Sequence, residues 1–154
     1  MIETQDNLTK KIPQFNKPPS VLLVVAPYYT DITNQLIEGA IKTLNEVRAK
    51  IDLIEVPGAL EIPTAIKIAS KHFSGFVALG CVIRGETSHY ETVSIESSRS
   101  LSLLGLEGIC IGNGILTVEN FQQANTRADP SRQNKGGEAA IASLNLIKIR
   151  HNFN

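Results

Sequence analysis

The sequence has no tryptophan, one methionine and two cysteines. Cys81 and Cys110 each sit inside an apolar segment. They read as buried, reduced thiols of a cytosolic protein, not as a disulfide framework. Neither sign of charge is in excess, because 15 basic and 15 acidic side chains cancel. That balance argues against a nucleic-acid groove or an anionic membrane surface as the main partner, since both need a basic surplus. No apolar run approaches the roughly 20 residues of a membrane-spanning helix; Val21–Ala26 is stopped by Pro27. Met1–Phe15 is polar and mixed in charge, without the apolar centre of a signal peptide. No His, Cys or carboxylate spacing marks a metal site. Glycine is missing before Gly39, whereas three of the seven prolines, Pro13, Pro18 and Pro19, fall in the first 19 residues. Residues 1–19 are therefore expected to form an extended tail, either disordered or laid on a surface. Residues 20–154 remain as one domain of ordinary globular composition, placed in the cytoplasm.

Within that body, short β-rich runs alternate with longer amphipathic stretches. Ser20–Ala26 is nearly all apolar, as a strand covered on both faces should be. Thr30–Ala49 carries Ile32, Leu36, Ile37, Ala40, Ile41, Leu44 and Val47 at helical spacing, with Thr30 or Asp31 as a candidate cap. Ile51–Val56 reads as a second strand and Leu60–Phe73 as a second helix. Gly75–Cys81 and His89–Leu104 repeat the pattern. Ile109–Ile111 is the fourth strand, ending at Gly112 and Gly114. Glu119–Ala128 and Glu138–Arg150 close the chain as helices on either side of an Asp129–Gly137 loop. Four strands alternating with helices predict an α/β three-layer αβα sandwich, flavodoxin-like, around a four-stranded parallel sheet. Ligands of such sheets bind beyond the carboxyl ends of the strands. That rule points to Pro27–Thr30, Pro57–Glu61, Cys81–His89 and Gly112–Thr117.

Cys81–His89 is the most informative of these segments. It leaves a buried strand, passes Gly85, and enters a helix with two hydroxyls and a histidine at its start. Free backbone N–H groups there, with Thr87 and Ser88, can hold a phosphate; the same hydroxyls can serve merely as helix caps. No Gly-Lys-Ser/Thr follows, so the segment is not a triphosphate-binding loop. His89 stands beside this candidate anion site, and near neutral pH an imidazole can accept and donate a proton in turn. Arg127 offers phosphate a bidentate fork, or else solvates the end of its own helix. Glu61 can accept hydrogen bonds from ligand hydroxyls, or favour a helix N-terminus electrostatically. Tyr28 and Tyr29 can stack on a planar heterocycle or pack beneath a loop. Cys81 has an apolar strand behind it and no partnering histidine in sequence, so it reads as core and not as a nucleophile.

Taken together, the motifs resemble the lumazine synthase family. They are Ala26-Pro27-Tyr28-Tyr29, Leu36-Ile37-Glu38-Gly39-Ala40, Val56-Pro57-Gly58-Ala59-Leu60-Glu61-Ile62-Pro63, and Gly80-Cys81-Val82-Ile83-Arg84-Gly85-Glu86-Thr87-Ser88-His89-Tyr90. Gly114-Ile115-Leu116-Thr117, Gln123-Ala124 to Arg127-Ala128, and Asn134-Lys135-Gly136 complete the set, so the resemblance covers about residues 20–148. It implies condensation of 5-amino-6-(D-ribitylamino)uracil with 3,4-dihydroxy-2-butanone 4-phosphate to 6,7-dimethyl-8-ribityllumazine, with no cofactor and no metal. It also implies roles. His89 would transfer protons; Glu86, Thr87 and Arg127 would hold the phosphate; Tyr28 would stack on the heterocycle. Ala59, Leu60 and Glu61 would line the ribityl chain, and Cys81, Val82 and Ile83 the pyrimidine edge. Asn113 occupies a position where many members place an aromatic, and Lys135 is a weaker candidate. A homopentamer is implied, alone or in a sixty-subunit icosahedral shell. Each site would lie between neighbours, with the tail against an adjacent subunit. Pro27-Tyr28-Tyr29, Asn113 and Leu60 depart from the common Arg-Phe-Asn, aromatic and Phe. That altered pyrimidine wall keeps open a lumazine- or riboflavin-binding paralogue, or a shell protein, with weak catalysis. A generic flavodoxin-like phosphate-binding module is the second alternative.

Overall fold

The computed structural model describes residues 11–154. Four parallel strands, β1 (Ser20–Val25), β2 (Lys50–Glu55), β3 (Gly75–Ile83) and β4 (Ile111–Val118), form one sheet in the order β2-β1-β3-β4. Five helices accompany them: α1 (Thr30–Glu46), α2 (Ile62–Ala69), α3 (His89–Leu106), α4 (Phe121–Ala128) and α5 (Lys135–Asn152). A single 3-10 turn, Ala59–Glu61, leads into α2. The three-layer α/β architecture expected from the alternation is thus the one observed.

Side-chain alternation in the central strands explains the layering. Val21, Leu23 and Val25 of β1, with Val77 and Leu79 of β3, pack against Leu36 and Leu44 of α1 and Leu144 and Ile147 of α5. Leu22 and Val24, with Phe76 and Ala78, face Ile62 and Ile66 of α2 and Leu101 of α3. Successive residues point to opposite faces, so a strand buried on both sides has no room for a polar residue. The edge strands behave differently. β2 is largely exposed, with Leu53 and Ile54 each about two-fifths open, and β4 alternates buried with exposed positions.

The fourth strand needs a correction. Gly112 and Gly114 were expected to end it; instead β4 runs on through both to Val118. A Cβ on Gly112 would overlap the Ala139 carbonyl of α5, and one on Gly114 would come within 2.7 Å of Leu79 Cδ2. These glycines mark close approach of neighbouring chain, not a break. Asn113 consequently lies inside β4, opposite Ala78, where its side chain accepts a hydrogen bond from Ile115 N at 3.0 Å.

Several helix ends also shift. α1 stops at Glu46 because Arg48 takes a left-handed conformation (φ 56°), three residues before the expected end. Neither Thr30 nor Asp31 caps it; Tyr29 holds the N-cap position without a side-chain cap bond. α5 starts at Lys135, three residues early, because Asn134 (φ 50°) caps it by accepting from Gly137 N at 3.2 Å. The expected tail spans residues 1–19, of which 1–10 lie outside the described residues. Ile12 and Phe15 pack on the core beside α5, and Lys148 donates to Gln14 O at 2.8 Å.

Candidate active site

The sheet order places a crevice where strand-end geometry requires it. β1 leads into α1 on one face of the sheet, while its neighbour β3 leads into α3 on the other. Loops that diverge from adjacent strands leave a gap at their carboxyl ends. A cleft of about 510 Å³ opens there, lined from four segments of the chain. Tyr28 and Tyr29 come from the end of β1, and Pro57–Glu61 from the turn after β2. Cys81, Val82 and Ile83 come from the end of β3, and His89 and Val93 from the first turns of α3.

Each side chain has a local reason for its place. Tyr28 follows Pro27 after the buried strand, and its ring is 78% exposed. Ala59 is buried at the start of the 3-10 turn, while Leu60 and Glu61 after it stay open. His89 is the first residue of α3; its backbone N–H donates to Thr87 Oγ1 at 3.3 Å. Val93, one helical turn on, presents an apolar wall beside it. Ser88 holds the N-cap position of α3 without a side-chain cap bond, so of the two hydroxyls only that of Thr87 serves the helix start.

The electrostatics separate the cleft's floor from its rim. Burial pushes the Cys81 thiol up to about 11, so at neutral pH this side chain is an uncharged surface and not a nucleophile. Burial also raises the Tyr29 phenol, with smaller contributions from Tyr28 and Cys81. A neutral floor beneath an imidazole suits a planar, uncharged heterocycle and gives a multiply charged anion no partner. The exposed Gly85–Ser88 loop at the start of α3 adjoins the cleft, and backbone N–H groups at a helix start are a candidate anion site.

Of the expected site residues, Tyr28, Ala59, Leu60, Glu61, Cys81, Val82, Ile83 and His89 come together from distant positions to line the cleft. Glu86, Thr87, Asn113 and Arg127 do not line the cleft of this chain. Glu86 and Thr87 are exposed on the loop before α3, and Asn113 is exposed on β4. Arg127 lies in the last turn of α4, where Nη1 donates to Gln123 O at 3.2 Å. Lys135 pairs with Glu138 at 2.9 Å. Val93 lines the cleft although no sequence motif pointed to it, and Pro57-Gly58, inside the expected strand-end segment Pro57–Glu61 but without an expected role, line it too. Val93 was open to deduction, being four residues after His89 on one helix face. Among the described residues, no three His, Cys, Asp or Glu side chains form a metal-holding group. No described helix is long and apolar enough to cross a membrane.

Comparison with known proteins supplies an independent reading. The family model described as 6,7-dimethyl-8-ribityllumazine synthase matches residues 19–151. A protein of that name from Jannaschia sp. (strain CCS1) is 54% identical over 144 residues, covering 92% of this chain and 81% of its own length. Another, from Zymomonas mobilis, is 50% identical over 131 residues, covering 84% and 94%. A third, from Bartonella tribocorum, is 48% identical over 144 residues, covering 91% and 95%.

Proposed function

The chain belongs to the 6,7-dimethyl-8-ribityllumazine synthase family, and on that basis we propose how its cleft carries out the condensation. The enzyme joins 5-amino-6-(D-ribitylamino)uracil to 3,4-dihydroxy-2-butanone 4-phosphate, a transferase reaction of riboflavin biosynthesis that releases phosphate and water. The observation that carries the reading is convergence. Tyr28, the Ala59–Glu61 turn, Cys81–Ile83 and His89 line one cleft although they are scattered over more than sixty residues.

Their chemistry divides the substrate between them. The Tyr28 ring offers a stacking face to the pyrimidine, with Cys81, Val82 and Ile83 along its edge. Ala59, Leu60 and Glu61 run beside the ribityl chain, the Glu61 carboxylate accepting hydrogen bonds from its hydroxyls. The amine adds to the ketone to give a carbinolamine, which loses water to form an imine; phosphate is then eliminated, and the ribitylamino nitrogen closes the ring on the remaining carbonyl with loss of a second water. Every step moves protons, and His89 at the cleft wall serves as the shuttle. The departing phosphate rests at Glu86 and Thr87, held chiefly through backbone N–H groups at the start of α3. Holding two substrates together removes much of the entropic barrier, up to about 7–11 kcal/mol in ideal intramolecular systems.

Asn113 and Arg127 are assigned to the cleft of a neighbouring copy. Both are absent from the cleft of their own chain, which a site shared across an interface accounts for. Apolar side chains open to solvent on α2 and α3, among them Ile68, Ile95, Leu103 and Leu106, give a second copy a surface to cover. The working unit in this reading is a cytoplasmic homopentamer, alone or in an icosahedral shell of sixty copies. Light scattering distinguishes the two. The activity is tested by mixing the purified chain with both substrates; no chromophore above the uncatalysed condensation would refute it.

A further inference from the structure

Arg84, the first residue after β3, is fastened on three sides. Its backbone N–H donates to Val118 O at 3.0 Å, adding one rung to the β3–β4 ladder. Nε donates to Glu119 Oε2 at 2.8 Å, and Nη1 donates to Glu91 Oε1 in the first turn of α3. The guanidinium carbon also lies 4.3 Å from the centre of the Tyr90 ring. Among the described residues it is the one side chain engaged in two ion pairs.

The loop it precedes has almost no support of its own. Neither Gly85 nor Glu86 hydrogen-bonds to another described residue, and a Cβ on Gly85 would meet nothing within 4 Å. Thr87 and Ser88 are tied to the start of α3, by His89 N–H on Thr87 Oγ1 and Glu91 N–H on Ser88 O, so Gly85-Glu86 is placed by what holds its two ends. The Arg84–Glu91 pair joins those ends directly, across the loop, while Glu119 anchors Arg84 to the sheet.

We propose that Arg84 is a positioning residue for the anion loop: by clasping Glu91 across Gly85–Ser88 from its anchor on Glu119, it fixes where the loop's N–H groups and His89 stand relative to the cleft. The proposal rests on the assignment of this loop to the phosphate. Two physical considerations favour positioning over the alternatives. Exposed ion pairs contribute little to global stability, and both pairs here are about half open to water, so holding the fold together is not their main effect. Direct binding of phosphate by Arg84 is disfavoured as well, because two carboxylates already take its fork and more than cancel its charge. A misplacement of about 1 Å in such a loop can cost a large factor in binding or rate.

The test uses the full chain, with inorganic phosphate binding by calorimetry as a readout that needs no turnover, and KM for each substrate beside it. Arg84→Met should weaken phosphate about tenfold and raise KM for the phosphate substrate similarly. KM for the ribityl substrate should stay within about twofold, and the thermal midpoint should hold. Arg84→Lys, a point charge unable to keep both pairs, should fall between. Glu91→Gln should also weaken phosphate, although it removes a negative charge, and Arg84→Met added to it should cost little more. Tighter phosphate binding by Glu91→Gln would overturn the proposal in favour of direct contact. Equal loss for both substrates would overturn it in favour of a merely structural role. Failure of the wild-type chain to make the lumazine would refute the assigned activity instead, and leave the phosphate titration to decide on Arg84.

Discussion

Tyr28 meets Tyr29 edge to face at the mouth of the cleft, their ring centroids 4.9 Å apart and their planes at 75°. Tyr29 is half-buried, so its contact steadies a neighbour that is otherwise 78% open to solvent. A ring held in place but uncovered is suited to receive a heterocycle. Tyr28→Ala should therefore raise KM for the ribityl substrate about tenfold, since stacking on a base is typically worth about 1–3 kcal/mol. The thermal midpoint should scarcely move, because little apolar area is lost from the fold. Steady-state kinetics with each substrate varied in turn checks this.

Arg127 is expected to act on the cleft of a neighbour, because its own chain turns it toward the Gln123 carbonyl. Arg127→Ala should weaken the phosphate substrate far more than the ribityl substrate. A sharper consequence follows from a shared site. Impaired His89→Ala and Arg127→Ala chains, refolded together, should exceed the activity of either alone, with about one quarter of randomly assembled sites holding both native residues. No recovery in verified mixed oligomers would place both residues in one chain's site.

Burial raises the Cys81 thiol from an ordinary 9.0 to about 11. The folded state thus favours the protonated form, and the stability tied to it is complete below pH 9. It fades as pH rises toward 11, where the unfolded chain has already released the proton. At pH 8 iodoacetamide should alkylate Cys81 much more slowly in the folded chain than in urea. Mass spectrometry assigns the site, and equal rates would contradict the burial argument.

Gly136 lies where α5 crosses α1, and a Cβ there would overlap the Leu36 carbonyl. Gly136→Ala should destabilise the fold by about 1–3 kcal/mol, as overpacking of a close contact does. Urea unfolding should show a lower midpoint with an unchanged slope.

These particulars show which features the sequence carries and which it does not. The run at Val21–Ala26 announces a strand covered on both faces, and β1 is one. β2, by contrast, carries Asp52 within it and Lys50 and Glu55 at its ends, and Leu53 and Ile54 stand partly open; those charges mark an open strand locally, whereas which strands flank it is set by topology. Gly112 and Gly114 read as breakers because the causes of their small size, the backbone of α5 at Ala139 for Gly112 and Leu79 of β3 for Gly114, lie more than twenty residues away. Arg48 ends α1 in a left-handed conformation that glycine would have advertised and arginine does not. At the site, His89, Tyr28 and the Ala59–Glu61 turn were legible because chemistry-bearing residues followed strand ends. The position of Asn113 and Arg127 outside their own chain's cleft was not legible, since it depends on how β4 and α4 lie against the rest of the fold.

The central claim is that this cleft condenses the two substrates with His89 moving the protons. The most direct measurement follows lumazine chromophore and inorganic phosphate together, for the wild-type chain and for His89→Ala, against the reaction without protein. The two products should appear in equimolar amounts well above background, and kcat should drop about 10²-fold in the variant, toward the low end for general acid–base groups. Chromophore formation by the wild-type chain no faster than the uncatalysed condensation would contradict it.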